Sequence, residues 1–117
     1  MGIVINSDGA TTQMEGGLTM GLGQALTEEV RFKGGEILDT NFDTYDIPRF
    51  SWLPKIETYL VDNREVPPQG GGEPPIVVVA AVIGNAVFDA TSARLTELPM
   101  TPERVKEALG RAEKVRS

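Results

Sequence analysis

A first helix is predicted near the start of the chain by apolar residues that recur at three- to four-residue spacing: Met14, Leu18, Leu22 and Ala25. Thr12 followed three residues later by Glu15 is typical of a capping box, so we expect this helix to cover residues 13–27. The preceding residues 6–9, with the sequence NSDG, are all common in turns. We therefore expect a turn there, with the helix starting after it.

Short apolar or alternating runs predict five strands. Two of them flank Lys33-Gly34-Gly35 and indicate a β-hairpin with glycines in its turn. Another alternates regularly between apolar and polar side chains, and a further one stops at a proline. The five predicted strands cover residues 2–5, 29–32, 36–39, 56–61 and 94–99.

Residues 76–93, with the sequence IVVVAAVIGNAVFDATSA, form the longest apolar run. Periodicity alone leaves strand and helix open, but the length of the run favours a buried helix. Thr101 and Pro102 are typical N-cap and first-turn residues, so they predict a last helix that extends to about Val115. The expected fold is a single α+β domain over residues 1–117. It has a mixed sheet, two core helices and a C-terminal helix, in the order β-α-β-β-β-α-β-α.

Composition restricts the possible functions. The 11 basic residues are not clustered and are outnumbered by 17 acidic ones, which argues against nucleic-acid binding. The chain has no cysteine and no histidine, so it holds no disulfide, no thiol nucleophile and no histidine base. Acid–base chemistry would depend on carboxylates, lysine or tyrosine. The spacing of Asp39, Asp43 and Asp46 does not fit a calcium site, so we interpret them as a solvated acidic face.

The N-terminus lacks the positive region and apolar run of a signal peptide. We also expect no window with the roughly 18 apolar residues of a membrane span. The sequence therefore predicts a soluble, cytoplasmic protein without a membrane partner.

The first predicted helix contains four glycines within eight residues: Gly16, Gly17, Gly21 and Gly23. Each costs roughly 1 kcal/mol relative to alanine in a helix interior. Two explanations remain open, because close packing on another helix or sheet and close approach of a large flat ligand both require a surface without side chains.

Residues 69–75 read QGGGEPP and place Glu73 between glycines and prolines. Such a loop is either a linker with a solvated carboxylate or a site where a ligand approaches the backbone beside a general base. The aromatic-rich residues 41–54 are likewise either a packed surface loop or a substrate-facing wall.

Three collinear stretches resemble a known family: QMEGGLTMGLGQALTEEV at 13–30, YDIPRFSWLPKIE at 45–57 and GGGEPPIVVVAAVIGNAVFDAT at 70–91. Together they are similar to the C-terminal part of the molybdopterin-binding large subunit of the molybdenum hydroxylases. This family comprises xanthine dehydrogenase, aldehyde oxidase and isoquinoline 1-oxidoreductase. The resemblance covers about Val4 to Val105.

The resemblance implies roles for particular residues. Glu73, in Gly70-Gly71-Gly72-Glu73, matches the family glutamate that deprotonates the hydroxyl on molybdenum. The residues implied to lie against the molybdenum–pyranopterin cofactor are Gln13, Glu15, Gly16, Gly17, Gly71 and Gly72. No protein side chain is implied as a metal ligand, and residues 45–54 are implied to border the substrate path.

The same resemblance implies an enzyme that hydroxylates aldehydes or N-heterocycles with oxygen from water. Family subunits are several times longer than 117 residues. We therefore expect a fragment or separately encoded piece that is inactive alone, binds no cofactor alone, and works with the remainder of the large subunit. The alternative is a non-catalytic freestanding remnant. In either case, exposed apolar surface predicts self-association, for instance as a homodimer.

Overall fold

A 20-residue helix, α1 (Ser7–Leu26), is the first element of the computed structural model, which describes residues 1–116. Asn6 is its N-cap, and the Asn6 Oδ1 atom accepts a hydrogen bond from the Gly9 N–H at 2.7 Å. The predicted turn at residues 6–9 and the predicted start after Thr12 were therefore wrong. Short polar residues favour both turns and helix N-caps, and here the side-chain cap begins the helix six residues earlier.

The predicted hairpin is confirmed, with shorter strands than expected. Strands β1 (Phe32–Lys33) and β2 (Glu36–Ile37) pair antiparallel, with Phe32 opposite Ile37. Gly34 and Gly35 form the two-residue turn with φ angles of 60° and 87°, a conformation that glycine adopts without strain.

Asp39 does not belong to a solvated acidic face, so that interpretation was wrong for this residue. Its side chain is fully buried and forms an ion pair with the Arg31 guanidinium at 2.5 Å. It also accepts a hydrogen bond from the Arg31 backbone N–H. These hydrogen bonds from Arg31 hold the pKa of Asp39 below its ordinary value and raise that of Arg31. The pair closes the open end of the hairpin.

The other three predicted strands, at residues 2–5, 56–61 and 94–99, do not form, and the hairpin is the only sheet within residues 1–116. Exposure does alternate along residues 56–61, as the pattern indicated, but no neighbouring strand completes a ladder. A strand needs a partner backbone, and sequence periodicity does not supply one. The fold is α+β with a two-stranded antiparallel sheet; the predicted mixed sheet and strand order were wrong.

Both later helices are confirmed, but the expectation that the apolar run is buried was wrong, because only 17% of Pro74–Thr91 is buried in this chain. The apolar run forms α2 (Pro74–Val77) and α3 (Val79–Thr91), which are separated at Val78. The last helix, α4 (Pro102–Arg116), starts as predicted, with the Thr101 hydroxyl accepting from the Arg104 N–H at 3.4 Å. Residues 41–54 are irregular apart from a 3₁₀ turn at Phe50–Trp52.

The segment Pro74–Thr91 is long and apolar enough to cross a membrane by length and composition, contrary to the expectation that no such window exists. One face of this segment packs on α1. Pro75 lies directly over Gly17, and a Cβ on Gly21 would come within 2.5 Å of Val79 Cγ2. The packing explanation therefore applies to Gly17 and Gly21. The buried apolar residues are few and mostly small: Ala25, Val79, Ala93, Met100 and Ala108.

Candidate functional site

Glu73 lies immediately before α2, at the end of an open glycine loop. Its backbone is nearly helical, with φ −94° and ψ −28°, and its exposed side chain makes no capping hydrogen bond. A Cβ added at Gly70 would meet nothing within 4 Å, and Gly72 is exposed. The backbone on this side of Glu73 is therefore accessible to a bound group, and the carboxylate is free to face it.

The N-terminal half of α1 lies against this loop. Gln13 Nε2 is 4.0 Å from the position that a Cβ on Gly72 would occupy, and Met14 Cε is 3.4 Å from the same position on Gly71. Gln13 and Gly17 are four residues apart, so they share the helix face on which Pro75 packs. The structure thus brings together four of the sequence-predicted residues, Gln13, Gly71, Gly72 and Glu73.

Glu15 and Gly16 have different surroundings from Gln13. Glu15 is exposed and follows Gln13 by two residues, which is about 200° around the helix, so it points away from the Glu73 loop. Gly16 is exposed, and a Cβ there would meet nothing within 4 Å. The α1 backbone is therefore accessible at Gly16, whereas at the neighbouring Gly17 it is covered by Pro75.

Two concavities border the Glu73 loop. One, of about 440 Å³, is formed by Gly70, Gly72, Glu73, Pro74 and Val77. The other, of about 290 Å³, is mostly apolar and is lined by Met1, Val4, Met14, Tyr59, Leu60, Val61, Gly70, Gly71 and Pro74. Both include Gly70 and Pro74, so they lie side by side.

Sequence reasoning missed the apolar lining of the second concavity. The alternation over residues 56–61 could have indicated that Tyr59 and Val61 share one exposed face. No local signal connects Met1 to this site. The Gln69 N–H donates to the Met1 carbonyl at 2.9 Å, a contact between residues far apart in sequence.

The aromatic-rich loop, residues 41–54, is hydrogen-bonded to the chain at the C-terminal end of α1. The Thr27 hydroxyl donates to the Asp46 carbonyl at 3.0 Å, and the Tyr45 hydroxyl donates to Glu28 Oε2 at 2.6 Å. The bond to Glu28 raises the pKa of Tyr45. Pro48 packs on Gly23, ten residues and so about 15 Å along the helix from Gln13. Residues 45–54 thus lie apart from the Glu73 loop within this chain, and their implied place on a substrate path stays a prediction.

Comparison with known proteins shows the protein family in which this site occurs. Residues 1–54 match the family model of the molybdopterin cofactor-binding domain. The chain is related to the molybdenum-hydroxylase large subunits. It is 38% identical over 109 residues to a subunit of nicotinate dehydrogenase from Pseudomonas putida, covering 93% of this chain and 9% of that protein. It is 39% identical over 112 residues to a putative xanthine dehydrogenase molybdenum-binding subunit of Escherichia coli, covering 91% of this chain and 15% of that protein.

The fold agrees with this relationship. The crystal structure of quinoline 2-oxidoreductase from Pseudomonas putida 86 superposes with a TM-score of 0.83 and 27% identity, covering 95% of this chain and 15% of that one. The family recognised from the three sequence stretches is thereby confirmed. The chain spans 9% to 15% of the length of these relatives and corresponds to one piece of a larger subunit.

The residues around Glu73 fit the organic part of a molybdenum–pyranopterin. The Gln13 carboxamide offers both a donor and an acceptor, and the exposed glycines Gly16, Gly70 and Gly72 leave backbone that a flat ring system can approach closely. Within residues 1–116, no group of three or more acidic, histidine or cysteine side chains could hold a metal ion.

Proposed function

We propose that this chain forms one wall of the active site of a molybdenum hydroxylase, with Glu73 as the catalytic base. The observation that carries the proposal is the position of Glu73, exposed on an open glycine loop beside Gln13 of α1. The family relationship supports the assignment, because relatives of this chain are molybdenum-binding subunits. The remainder of the large subunit would complete the site.

Each residue has a distinct task in this proposal. Gln13 and the backbone at Gly16 and Gly72 hold the pyranopterin, whereas the space over Gly71 is occupied by the Met1 side chain. Gly17 keeps α2 close enough for the Glu73 loop to reach the same side of α1. When bound, the cofactor would supply the oxygen-transfer and two-electron redox chemistry for hydroxylation of an electron-poor carbon. Glu73 takes up the proton that the attacking oxygen must lose, a task that no histidine in this chain can perform.

The substrate is proposed to be an aldehyde or an N-heterocycle. Relatives named for nicotinate and quinoline oxidation support the heterocycle, and a relative named an aldehyde oxidoreductase supports the aldehyde. The freestanding remnant is not supported by these relatives, since each is much longer than this chain. The proposed activity belongs to the complete assembly.

The test is Glu73→Gln in the complete assembly. We expect turnover to fall by about 10²–10⁴-fold or more, the usual contribution of a positioned base, with molybdenum content close to wild type. Glu65→Gln is the matched control, because Glu65 is an exposed carboxylate of the same loop, and it should leave turnover unchanged. Substantial turnover in Glu73→Gln would remove Glu73 from the role of base.

A further inference from the structure

Gly2 is enclosed by the loop that leads to Glu73. It is buried, and its φ angle of 72° lies in the region that favours glycine. A Cβ at this position would overlap the Pro67 carbonyl oxygen and lie 2.8 Å from the Val66 carbonyl oxygen. Both the backbone conformation and the lack of space therefore require a glycine here.

Backbone hydrogen bonds close this loop on residues 1 and 2. The Asn63 N–H donates to the Gly2 carbonyl at 3.3 Å, and the Gln69 N–H donates to the Met1 carbonyl at 2.9 Å. Because Met1 and Gly2 are adjacent, the two ends of the loop 63–69 come together, as in a compact Ω-loop. We call residues 1–4 the Gly2 segment. This segment holds the end of the loop at Gln69.

The Asp62 carboxylate adds a third contact to the Gly2 segment. Its Oδ1 atom accepts a hydrogen bond from the Val4 N–H at 3.1 Å, and its Oδ2 atom accepts one from Arg64 Nε at 3.0 Å. The bond from Val4 and then the bond from Arg64 hold the pKa of Asp62 below its ordinary value. The carboxylate is therefore ionised near neutral pH and fixes the segment at Val4.

Glu73 lies between a rigid side and a flexible side of the chain. On the C-terminal side, its carbonyl accepts a hydrogen bond from the Ile76 N–H at 2.9 Å, so it is joined to α2. On the N-terminal side, only the glycines 70–72 separate it from Gln69. Glycine has the greatest conformational freedom of all residues, so these three positions provide no rigidity of their own. Their conformation depends on what holds Gln69.

The Gly2 segment also contacts the glycines directly. A Cβ added to Gly71 would lie 2.5 Å from Met1 Cε and 3.4 Å from Met14 Cε. Met1 thus covers Gly71, and it lines the same 290 Å³ concavity as Gly70 and Gly71. A shift of the segment would therefore change the position of the backbone beside Glu73.

We infer that Gly2 is a positioning residue for the Glu73 loop, because the Gly2 segment holds Gln69 and Gly71 and so determines where the loop places Glu73. The expected effect on turnover rests on the proposed function, in which Glu73 is the base. A misplacement of about 1 Å caused by a distant mutation can cost about 10²-fold in rate. A side chain at Gly2 should therefore impair catalysis from beneath the loop.

Gly2→Ala in the complete assembly tests the inference, with Gly34→Ala as the matched control. Both glycines have positive φ angles, 72° and 60°, but a Cβ on Gly34 would meet nothing within 4 Å. Gly2→Ala should lower turnover per bound molybdenum by about 10-fold to 10²-fold, and Gly34→Ala should leave it unchanged. A merely structural defect would lower the yield of loaded protein without slowing it. Unchanged turnover per bound molybdenum in Gly2→Ala would overturn the inference.

Asp62 provides a second pair of variants that leaves Gly2 intact. Asp62→Ala removes the acceptor of the Val4 N–H, whereas Asp62→Asn keeps an oxygen acceptor there. Asp62→Ala should lower turnover per bound molybdenum several-fold, and Asp62→Asn should restore most of it. Wild-type turnover in Asp62→Ala would contradict the inference, as would an Asp62→Asn variant that is equally impaired.

Hydrogen exchange tests the same contact without reference to activity. In the assembly, the Gln69 amide should exchange several-fold faster in Gly2→Ala than in wild type, because its bond to the Met1 carbonyl is disrupted. The Leu38 amide of the hairpin is the internal reference and should exchange at an unchanged rate. An unchanged rate at Gln69 would refute the role of Gly2.

The outcomes separate this inference from the proposed function. If Glu73→Gln retains turnover while Gly2→Ala speeds exchange at Gln69, the base assignment fails and the positioning of the loop stands. If Glu73→Gln is inactive while Gly2→Ala changes neither exchange at Gln69 nor turnover, the positioning role fails and the base assignment stands.

Discussion

Gly16 and Gly17 are adjacent on α1 but have opposite surroundings. Gly17 is buried under Pro75, where a Cβ would overlap the proline ring. Gly16 is exposed, with nothing near the position of a Cβ. Packing therefore explains why residue 17 is a glycine but does not explain Gly16. Gly16 lowers the stability of the helix, although no atom of this chain would contact a Cβ there. Gly16 is the glycine at which the proposed approach of a flat cofactor can be tested separately from packing.

Gly16→Ala should stabilise α1 by up to about 1 kcal/mol, because alanine is the better helix former and the site has room. It should also lower the molybdenum content of the assembly, because the added methyl group blocks the pterin. Gly110→Ala is the control, since Gly110 lies in α4 and is equally unobstructed. It should give a similar gain in unfolding free energy with unchanged molybdenum. Unchanged molybdenum in Gly16→Ala would remove Gly16 from the cofactor site.

At the scale of elements, the hairpin is held together by one ion pair in addition to a very short ladder of backbone hydrogen bonds. Strands β1 and β2 contain two residues each, and their side chains are exposed. The buried Asp39 carboxylate instead joins the two arms through the Arg31 side chain and backbone. The Leu38 N–H donates to the Arg31 carbonyl at 2.9 Å beside this pair. Stability of the hairpin should therefore depend on the ionisation of Asp39.

The pH dependence of the hairpin follows from the lowered pKa of Asp39. The unfolded carboxyl binds its proton at a higher pH than the folded one, so the stabilisation is complete above the ordinary aspartate pKa of about 3.9. It is lost as the pH falls through the lowered folded value. Asp39→Asn should reduce the hydrogen-exchange protection of the Leu38 amide near neutral pH, and the difference from wild type should disappear in acid.

Asp43→Asn is the control for this experiment, because Asp43 is an exposed aspartate of the following loop. It should leave the protection of Leu38 unchanged at every pH. A constant difference between Asp39→Asn and wild type across the acid range would show that the charge of Asp39 does not support the hairpin.

At the scale of the whole molecule, the chain is more open than an independent domain of its size. Its radius of gyration is 17.8 Å, whereas a compact domain of 117 residues has about 13 Å. No large side chain within the described residues is fully buried. Arg104 of α4 nevertheless ties distant parts together, with hydrogen bonds to Glu29 at 2.8 Å and to the Pro99 carbonyl at 2.9 Å. This combination is typical of a folded piece whose outer faces are covered by other parts of a protein.

The exposed surface predicts that the isolated chain self-associates, because uncovered apolar patches pair with one another in water. Light scattering at high concentration should therefore give a mass above the 12.6 kDa of one chain. A value equal to one chain would show that the patches are compatible with a monomer. The homodimer stays a prediction until this measurement is made.

The sequence by itself determined what depends on neighbouring residues. Gly34-Gly35 specified the hairpin turn, and Thr101-Pro102 specified the start of α4. The length of the apolar run specified that residues of α2 and α3 are helical. Each of these signals acts within a few residues or along one continuous segment. The collinear motifs also identified the family from sequence alone, because similarity to a family is read directly from the order of residues.

Only the tertiary structure decided which backbone segments meet. The pattern over residues 56–61 indicated alternating faces, but the expected ladder required a partner strand that no local signal could reveal. The structure likewise placed Gln13 beside Gly72 and buried Asp39 against Arg31. Contacts between distant residues depend on how helices pack, and the Glu73 loop owes its position on α1 to the close approach of Pro75 to Gly17.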